Sequence, residues 1–238
     1  MLLFYVRHGD PNYAVDGLTP RGARQAEAVG KRLAAHGLDK IYTSPLGRAK
    51  LTAQPACELL GKEAEVVEWA SEANAWHATT VPTENGRSTW AFQHTPTREL
   101  FATEEVRRLG REFYNHPAFA ELPFAEKIPP IQAEIDEWLL SLGYRHDHAR
   151  NGYVAERPND DRVALFAHQG FGMLFLSLVL DIPYPEMSIR ADMQHSGMSV
   201  IRFANHDGLV IPTLLQLSND SHLYREGLPT RYNNQFQL

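Results

Sequence analysis

Scarcity narrows the field before any motif is read. A single cysteine, Cys57, among 238 residues excludes a disulfide framework and every zinc module built on several cysteines. No apolar run approaches the ~20 residues that span a bilayer, so no membrane partner is expected. The opening Met1–Arg7 lacks a basic leader region and its apolar stretch is too short for a signal peptide, which makes the cytoplasm the expected location. Basic charge is in deficit, with 23 Lys and Arg against 29 Asp and Glu and a net charge of −6. That balance speaks against nucleic acid as a partner. Internal repeats and low-complexity tracts are also missing. What is present is a chain 43% apolar and 22% charged, long enough for one compact domain with its own core. Against the lone cysteine stand eleven histidines.

The local patterns alternate strand and helix. Leu2–Val6 is a wholly apolar run stopped by Arg7-His8-Gly9-Asp10-Pro11, as a buried strand ending in a turn would be. Thr19 and Pro20 then mark a helix start, with a stripe of Ala23, Ala26, Val29 and Leu33 that ends at Gly37. Lys40–Tyr42 reads as a strand, and Ser44-Pro45 repeats the start signal for a helix to about Leu60. Ala64–Trp69 reads as a further strand. Val163–Ala167 is a buried strand with an apolar helix from Gly170 to Leu180 behind it, and Ser199–Phe203 and Leu209–Leu217 close the chain as strands. This order predicts a three-layer α/β/α fold around a mainly parallel sheet, in a single domain over 1–238. Residues 73–150 break the alternation and read as a helical cap inserted into that domain, with helical patterns near Arg98–Phe113 and Ile131–Leu142. An apolar face on this cap would suit a homodimer.

Ligands of parallel sheets collect at the carboxyl ends of the strands. The residues following four of these strands are Arg7 and His8, then Arg48 one turn into its helix, then Glu72, then His168. Two arginines, two histidines and a carboxylate would converge on one rim. Guanidinium groups bind phosphate oxygens in pairs, and the helices opening near Pro45 and Gly170 would aim their first amides there. The expected ligand is therefore a small phosphorylated molecule.

Several blocks carry a family likeness. Arg7-His8-Gly9 after an apolar strand resembles the signature of the histidine phosphatase superfamily, the phosphoglycerate-mutase-like fold. So do Leu18-Thr19-Pro20-Arg21-Gly22-Ala23-Arg24-Gln25-Ala26 and Ile41-Tyr42-Thr43-Ser44-Pro45-Leu46-Gly47-Arg48-Ala49, the latter followed by Thr52-Ala53. His168-Gln169-Gly170 matches a third block, and Asn219-Asp220-Ser221-His222-Leu223 is similar to a common terminal motif. The likeness covers 1–72 and 163–223 but not the insertion. It implies that His8 attacks phosphorus to form a phosphohistidine. Arg7, Arg48 and His168 would hold the phosphoryl oxygens, and Glu72 would protonate the leaving oxygen. No metal and no cofactor is implied, because the cation cluster does that work. Pro11 replaces a frequent threonine, Ala14 a frequent asparagine and Gln169 a frequent glycine; Asn12 is the nearby substitute, so Asn12 and Gln169 join the substrate-binding set. The single cysteine favours the cytoplasmic phosphatase branch over secreted acid phosphatases.

The expected activity is thus a metal-independent phosphomonoesterase acting on a small phosphorylated metabolite. Two alternatives share the same centre: a phosphoglycerate-type phosphomutase, and a non-catalytic regulator that binds a phosphorylated ligand. Ser71-Glu72-Ala73-Asn74-Ala75-Trp76 lacks the extended glutamate block of the mutases, which favours hydrolysis. Other residues take plainer readings. Trp76 and Trp90 are packing anchors, Cys57 is a small core residue, and His77 and His94 lie on the surface. Arg87, Arg98, Arg107, Arg108 and Arg111 are exposed helix arginines rather than a second anion site. His146-Asp147-His148 has a metal-like look but no third ligand, and reads as a solvated loop.

Overall fold

The computed structural model describes residues 1–204, 206 and 208–230, so positions 231–238 of the expected single unit lie outside the described residues. Its centre is a six-stranded sheet built from β1 (Leu2–Arg7), β2 (Lys40–Thr43), β3 (Glu65–Val66), β6 (Arg162–Ala167), β7 (Met198–Arg202) and β8 (Thr213–Asn219). β4 and β5 form a hairpin outside it, Tyr144–Asp147 with Gly152–Ala155. The strand order across the sheet is β8-β7-β1-β6-β2-β3. β1, β6, β2 and β3 run parallel; on the other side of β1, β7 pairs antiparallel with it and β8 pairs antiparallel with β7.

Alternate residues of β1 serve opposite faces. Phe4 and Val6 pack with Val29 and Leu33 of α1 (Pro20–His36) and Ala53 and Ala56 of α2 (Gly47–Leu60). Leu3 and Tyr5 pack on the other face, with Phe171 and Phe175 of α5 (Gln169–Leu180). Burial on both faces is why these strands are apolar without alternation. The three-layer α/β/α architecture follows directly, with a mainly parallel sheet between helices.

Several boundaries differ from those expected. α1 starts and stops as its signals say: the Thr19 hydroxyl accepts from the Gly22 amide and Gly37 caps the end. Its buried face, however, carries Gln25 and Ala28 while Ala23 is exposed. α2 begins at Gly47 rather than at Pro45, because Ser44 makes other bonds, to the Leu46 amide and to His168. The Ala64–Trp69 strand shrinks to Glu65–Val66, followed by a tight turn of helix at Glu68–Ala70. Leu209–Leu217 is split at Ile211-Pro212, and Leu209–Val210 leaves the main sheet to pair with β5. Proline cannot donate to a ladder, which explains the break.

The inserted segment is partly helical. α3 (Glu72–Thr79) opens it, and α4 (Phe124–Ser141) reaches further toward the N-terminus than the pattern indicated, with Pro129 and Pro130 inside it. The stretch around Arg98–Phe113 is two short helices, Thr95–Phe101 and Glu104–Leu109, and a turn of tighter helix. Thr103 caps the second helix through the Val106 amide and Gly110, at φ 58°, ends it. Phe101, Phe113, Phe119 and Phe124 pack edge-on and tilted around Tyr184 and tie the cap to the body. His146 is not in a solvated loop: it lies on β4 and is buried. Among the described residues no helix is long and apolar enough to cross a membrane.

Candidate active site

The carboxyl ends of β1, β2 and β6 open on a cavity of about 540 Å³. Arg7, His8, Arg48, Glu72 and Gln169 line it, and His168 stands directly behind His8 with ring centroids 5.2 Å apart. Asn12 is not there. It is exposed, and its side chain accepts from the Ala14 amide at 3.2 Å to cap a short turn; the neighbouring Tyr13 lines the cavity instead. Glu68 and Glu84, carboxylates near Glu72 in sequence, are exposed and do not line the cavity.

The loop bearing His8 is fixed by its neighbours. The Gly9 amide donates to Thr52 Oγ1 at 3.0 Å and the Asp10 amide to Gln25 Oε1 at 2.7 Å. Gly22 allows this closeness, since a Cβ there would sit 2.2 Å from the Asp10 carbonyl oxygen. His8 Nδ1 lies 2.7 Å from the Gly9 carbonyl, which can only accept. The proton is therefore on Nδ1, and Nε2 keeps its lone pair. Burial holds the His8 ring well below its ordinary pKa, and Arg7, His168 and Arg48 press it further down. Burial leads and the like charges follow. His168 is likewise kept neutral by burial, then by Arg48 and Arg7. Its Nε2 meets Ser44 Oγ at 2.7 Å, and its backbone is gripped by the Tyr5 hydroxyl, which donates to its carbonyl at 2.6 Å.

Glu72 comes from the first turn of α3. Its carboxylate accepts from the Gly170 and Phe171 amides at 3.1 and 2.8 Å, so the open N-terminus of α5 is satisfied by this side chain and not left for a ligand. Burial raises the Glu72 pKa, while those two amides and then Arg7 and Arg48 oppose it. The N-terminus of α2 is taken in the same way by Asp16. Its carboxylate accepts from the Gly47 amide and from Arg48 Nη1, both at 2.6 Å. Arg48 Nε and His168 Nδ1 are buried without a partner among the described residues.

His195 is absent from the residues expected at this rim, yet it belongs to the cluster. Arg7 Nη2 approaches His195 Nε2 at 2.9 Å and Arg7 Nη1 donates to the Met193 carbonyl at 2.6 Å. A guanidinium only donates, so His195 Nε2 accepts and the ring is neutral; burial and then Arg7 push its pKa down to about 3. Its ring centroid is 5.7 Å from that of His8. The next residue, Ser196, donates its amide to the His8 carbonyl at 3.1 Å and meets His222 Nε2 through its hydroxyl at 2.9 Å. The terminal motif residue His222 thus braces the loop beside His8. Asp10, Trp90 and Gln93 complete the rim, so Trp90 is a wall of the cavity as well as a packing partner of Trp76. The cap arginines are committed elsewhere: Arg107 to Glu186, Arg108 to Glu104, Arg111 to Asp181, and Arg98 to two carbonyls.

A buried neutral imidazole with a bare Nε2, two guanidinium groups and a desolvated carboxyl define a centre for phosphoryl chemistry. The comparisons agree with this class. The model of the histidine phosphatase superfamily (branch 1) matches residues 3–114. That match spans just under half of the chain and takes in Arg7, His8, Arg48 and Glu72. Among curated relatives, the 2,3-bisphosphoglycerate-dependent phosphoglycerate mutases of Brucella anthropi and Brucella ovis are each 25% identical, over 87% of this chain and 94% of theirs. Among solved structures, a phosphoserine phosphatase from Entamoeba histolytica, in complex with 3-phosphoglyceric acid, superposes with a TM-score of 0.57. It is 19% identical and covers 93% of this chain and 98% of its own. A mycobacterial glucosyl-3-phosphoglycerate phosphatase gives a TM-score of 0.58 at 19% identity, over 91% of this chain and 98% of its own. These likenesses share the fold.

Proposed function

We propose that this protein is a metal-independent phosphomonoesterase that works through a phosphohistidine at His8 on a small phosphorylated metabolite. The observation that carries the reading is the His8 ring, neutral, with Nδ1 tied to the Gly9 carbonyl and two arginines at its side. His8 Nε2 attacks phosphorus and the bond to the leaving oxygen breaks. Arg7 and Arg48 bear the negative charge on the phosphoryl oxygens, the role a divalent cation plays elsewhere, and His168 takes part as a buried donor. Glu72, its pKa raised by burial, gives its proton to the leaving oxygen. In the second half it takes a proton from the water that cleaves the phosphohistidine. Tyr13, Trp90, Gln93 and Gln169 face whatever the phosphate is attached to.

Hydrolysis of p-nitrophenyl phosphate with EDTA present is the direct test. Wild type is expected to turn over and to carry an acid-labile, base-stable phosphoryl group when quenched, and His8→Ala to lose at least about 10³-fold in kcat. Equal inertness of both proteins across a panel of sugar phosphates, nucleotides and phosphorylated acids would leave a phospho-ligand binder. A phosphomutase is the second reading, favoured by the 25% identity to curated mutases over most of both chains. It predicts phosphoryl exchange between glycerate positions that depends on a bisphosphate primer.

A further inference from the structure

Away from the sheet rim, α4, the β4–β5 hairpin and the end of α5 bring four side chains together. His146 Nδ1 lies 2.8 Å from Asp136 Oδ1, and His148 Nε2 lies 2.8 Å from Asp136 Oδ2. These three residues each offer one ligand atom, all within 4.8 Å of one another. We propose that Asp136, His146 and His148 form a binding site for one divalent transition-metal ion of the zinc class, separate from the His8 centre.

Two imidazoles and a carboxylate are a donor set that suits zinc, with water completing a tetrahedron. Tetrahedral zinc with bonds of 2.0–2.1 Å sets its donors roughly 3.3 Å apart, so the present spacing needs only small adjustments. His148 has the room to adjust, since its side chain is half exposed while that of His146 is 1% exposed. The third ligand that the His-Asp-His sequence did not supply comes from α4.

The surroundings are built as a ligand's second layer is built. A metal-bound histidine usually donates its far nitrogen to a carboxylate, which fixes ring and tautomer. Here His146 Nε2 lies 3.1 Å from Asp181 Oδ2, and Asp181 is itself held by Arg111. Asp136 Oδ1 also accepts from Gln132 Nε2 at 2.7 Å. The His146 ring is stacked on Tyr153 with centroids 4.2 Å apart, which leaves it one orientation. Two carboxylates and Arg111 leave one net negative charge around the imidazoles, so the fixed charge of the site attracts a cation. The ion would clamp the hairpin to the cap helix and to the end of α5.

The test uses the full chain, stripped with chelator and desalted, then titrated with CoCl2 and separately with ZnCl2. Wild type is expected to bind one equivalent of Co²⁺ with visible ligand-field absorption, displaced by Zn²⁺, and to melt higher with metal present. His148→Ala, a change at an exposed side chain, should abolish that absorption, and Asp181→Asn should weaken binding about 10–100-fold. His195→Ala should keep the equivalent, which separates this site from adventitious binding by the rim histidines. Two results overturn the proposal: wild type that binds no metal in large excess, or His148→Ala that binds as wild type does. Loss of phosphatase activity is not the readout, so failure here and failure of the His8 mechanism are told apart.

Discussion

His195 at the sheet rim and His146 in the hairpin are both largely shielded from water, yet they settle in opposite states. Burial disfavours the charged ring in each. At the rim the nearest neighbour is Arg7, which adds to burial, outweighs Asp10 at 3.5 Å from Nδ1, and carries the His195 pKa down to about 3. In the hairpin the neighbours are Asp136 and Asp181, whose hydrogen bonds overcome burial and lift His146 to about 9. Desolvation is common to the two sites and decides nothing between them; the sign of the nearest charge does. The rim holds positive charge in reserve for a ligand that brings negative charge. The hairpin holds negative charge in reserve, which a proton satisfies at neutral pH and which a cation would satisfy as well.

The most severe way to break this contrast is Arg7→Met. We expect a loss of about 10³-fold in kcat/KM, and an upward move of the His195 titration toward its ordinary value, read by NMR. A variant whose His195 still titrates near 3 would show that burial alone sets the rim.

Acid unfolding tests the rim as a group. His8, His168, His195 and His222 all have folded pKa values below 6.5. The unfolded chain therefore takes up protons first. Stability is present above pH 6.5 and is lost as pH falls toward the folded values, about 4 for His222 and about 3 for His195. Each such group adds up to about 1.4 kcal/mol per pH unit to the slope. Urea midpoints that stay level from pH 7 to about 5 would contradict it.

A milder change sharpens the hairpin side. In chelator-treated protein, Asp136→Asn removes one of the two carboxylates, and the His146 titration should fall from about 9 toward its ordinary range. The smallest effect is expected of Asp16→Ala. It frees Arg48 Nη1 and the Gly47 amide, at a cost of about 1 kcal/mol in urea stability, with KM changing by no more than a few-fold.

The legible part of the site is the part attached to apolar parallel strands. Arg7, His8 and His168 each follow a run that could only be a buried strand, and the carboxyl ends of parallel strands meet at one rim. Arg48 and Glu72 were reachable by the same rule, one helix turn further on. His195 was not, because it precedes its strand. β7 is antiparallel, with Met198 opposite Val6, so its amino end lies at the rim where the others have their carboxyl ends. Strand direction is a property of the sheet and not of the segment. A His-Ser-Gly just before an apolar strand was the available signal. Asn12 was misplaced because loop position counts residues and not directions, and its side chain turns to the Ala14 amide. The cap resisted for another reason. Its order comes from aromatic packing around Tyr184 and from pairs such as Asp136 with His146, contacts between segments that carry no shared period.

The position of β1 between β6 and β7 has a consequence for how the chain is made. β1 is synthesised before the other strands of the sheet, yet both of its neighbours are translated roughly 150 residues or more later. At ~5–20 residues per second that is an interval on the order of 10–30 s on the ribosome. For that time the apolar ribbon Leu2–Val6 has no ladder partner, and its exposed edges are open to wrong pairing. Nascent chains should therefore lean on holding factors until Arg162–Ala167 emerges, and chains arrested before it should be prone to aggregate. Such arrested chains would carry His8 without His168 or His195 around it, so the reactive centre comes into being only when the sheet closes around its oldest strand.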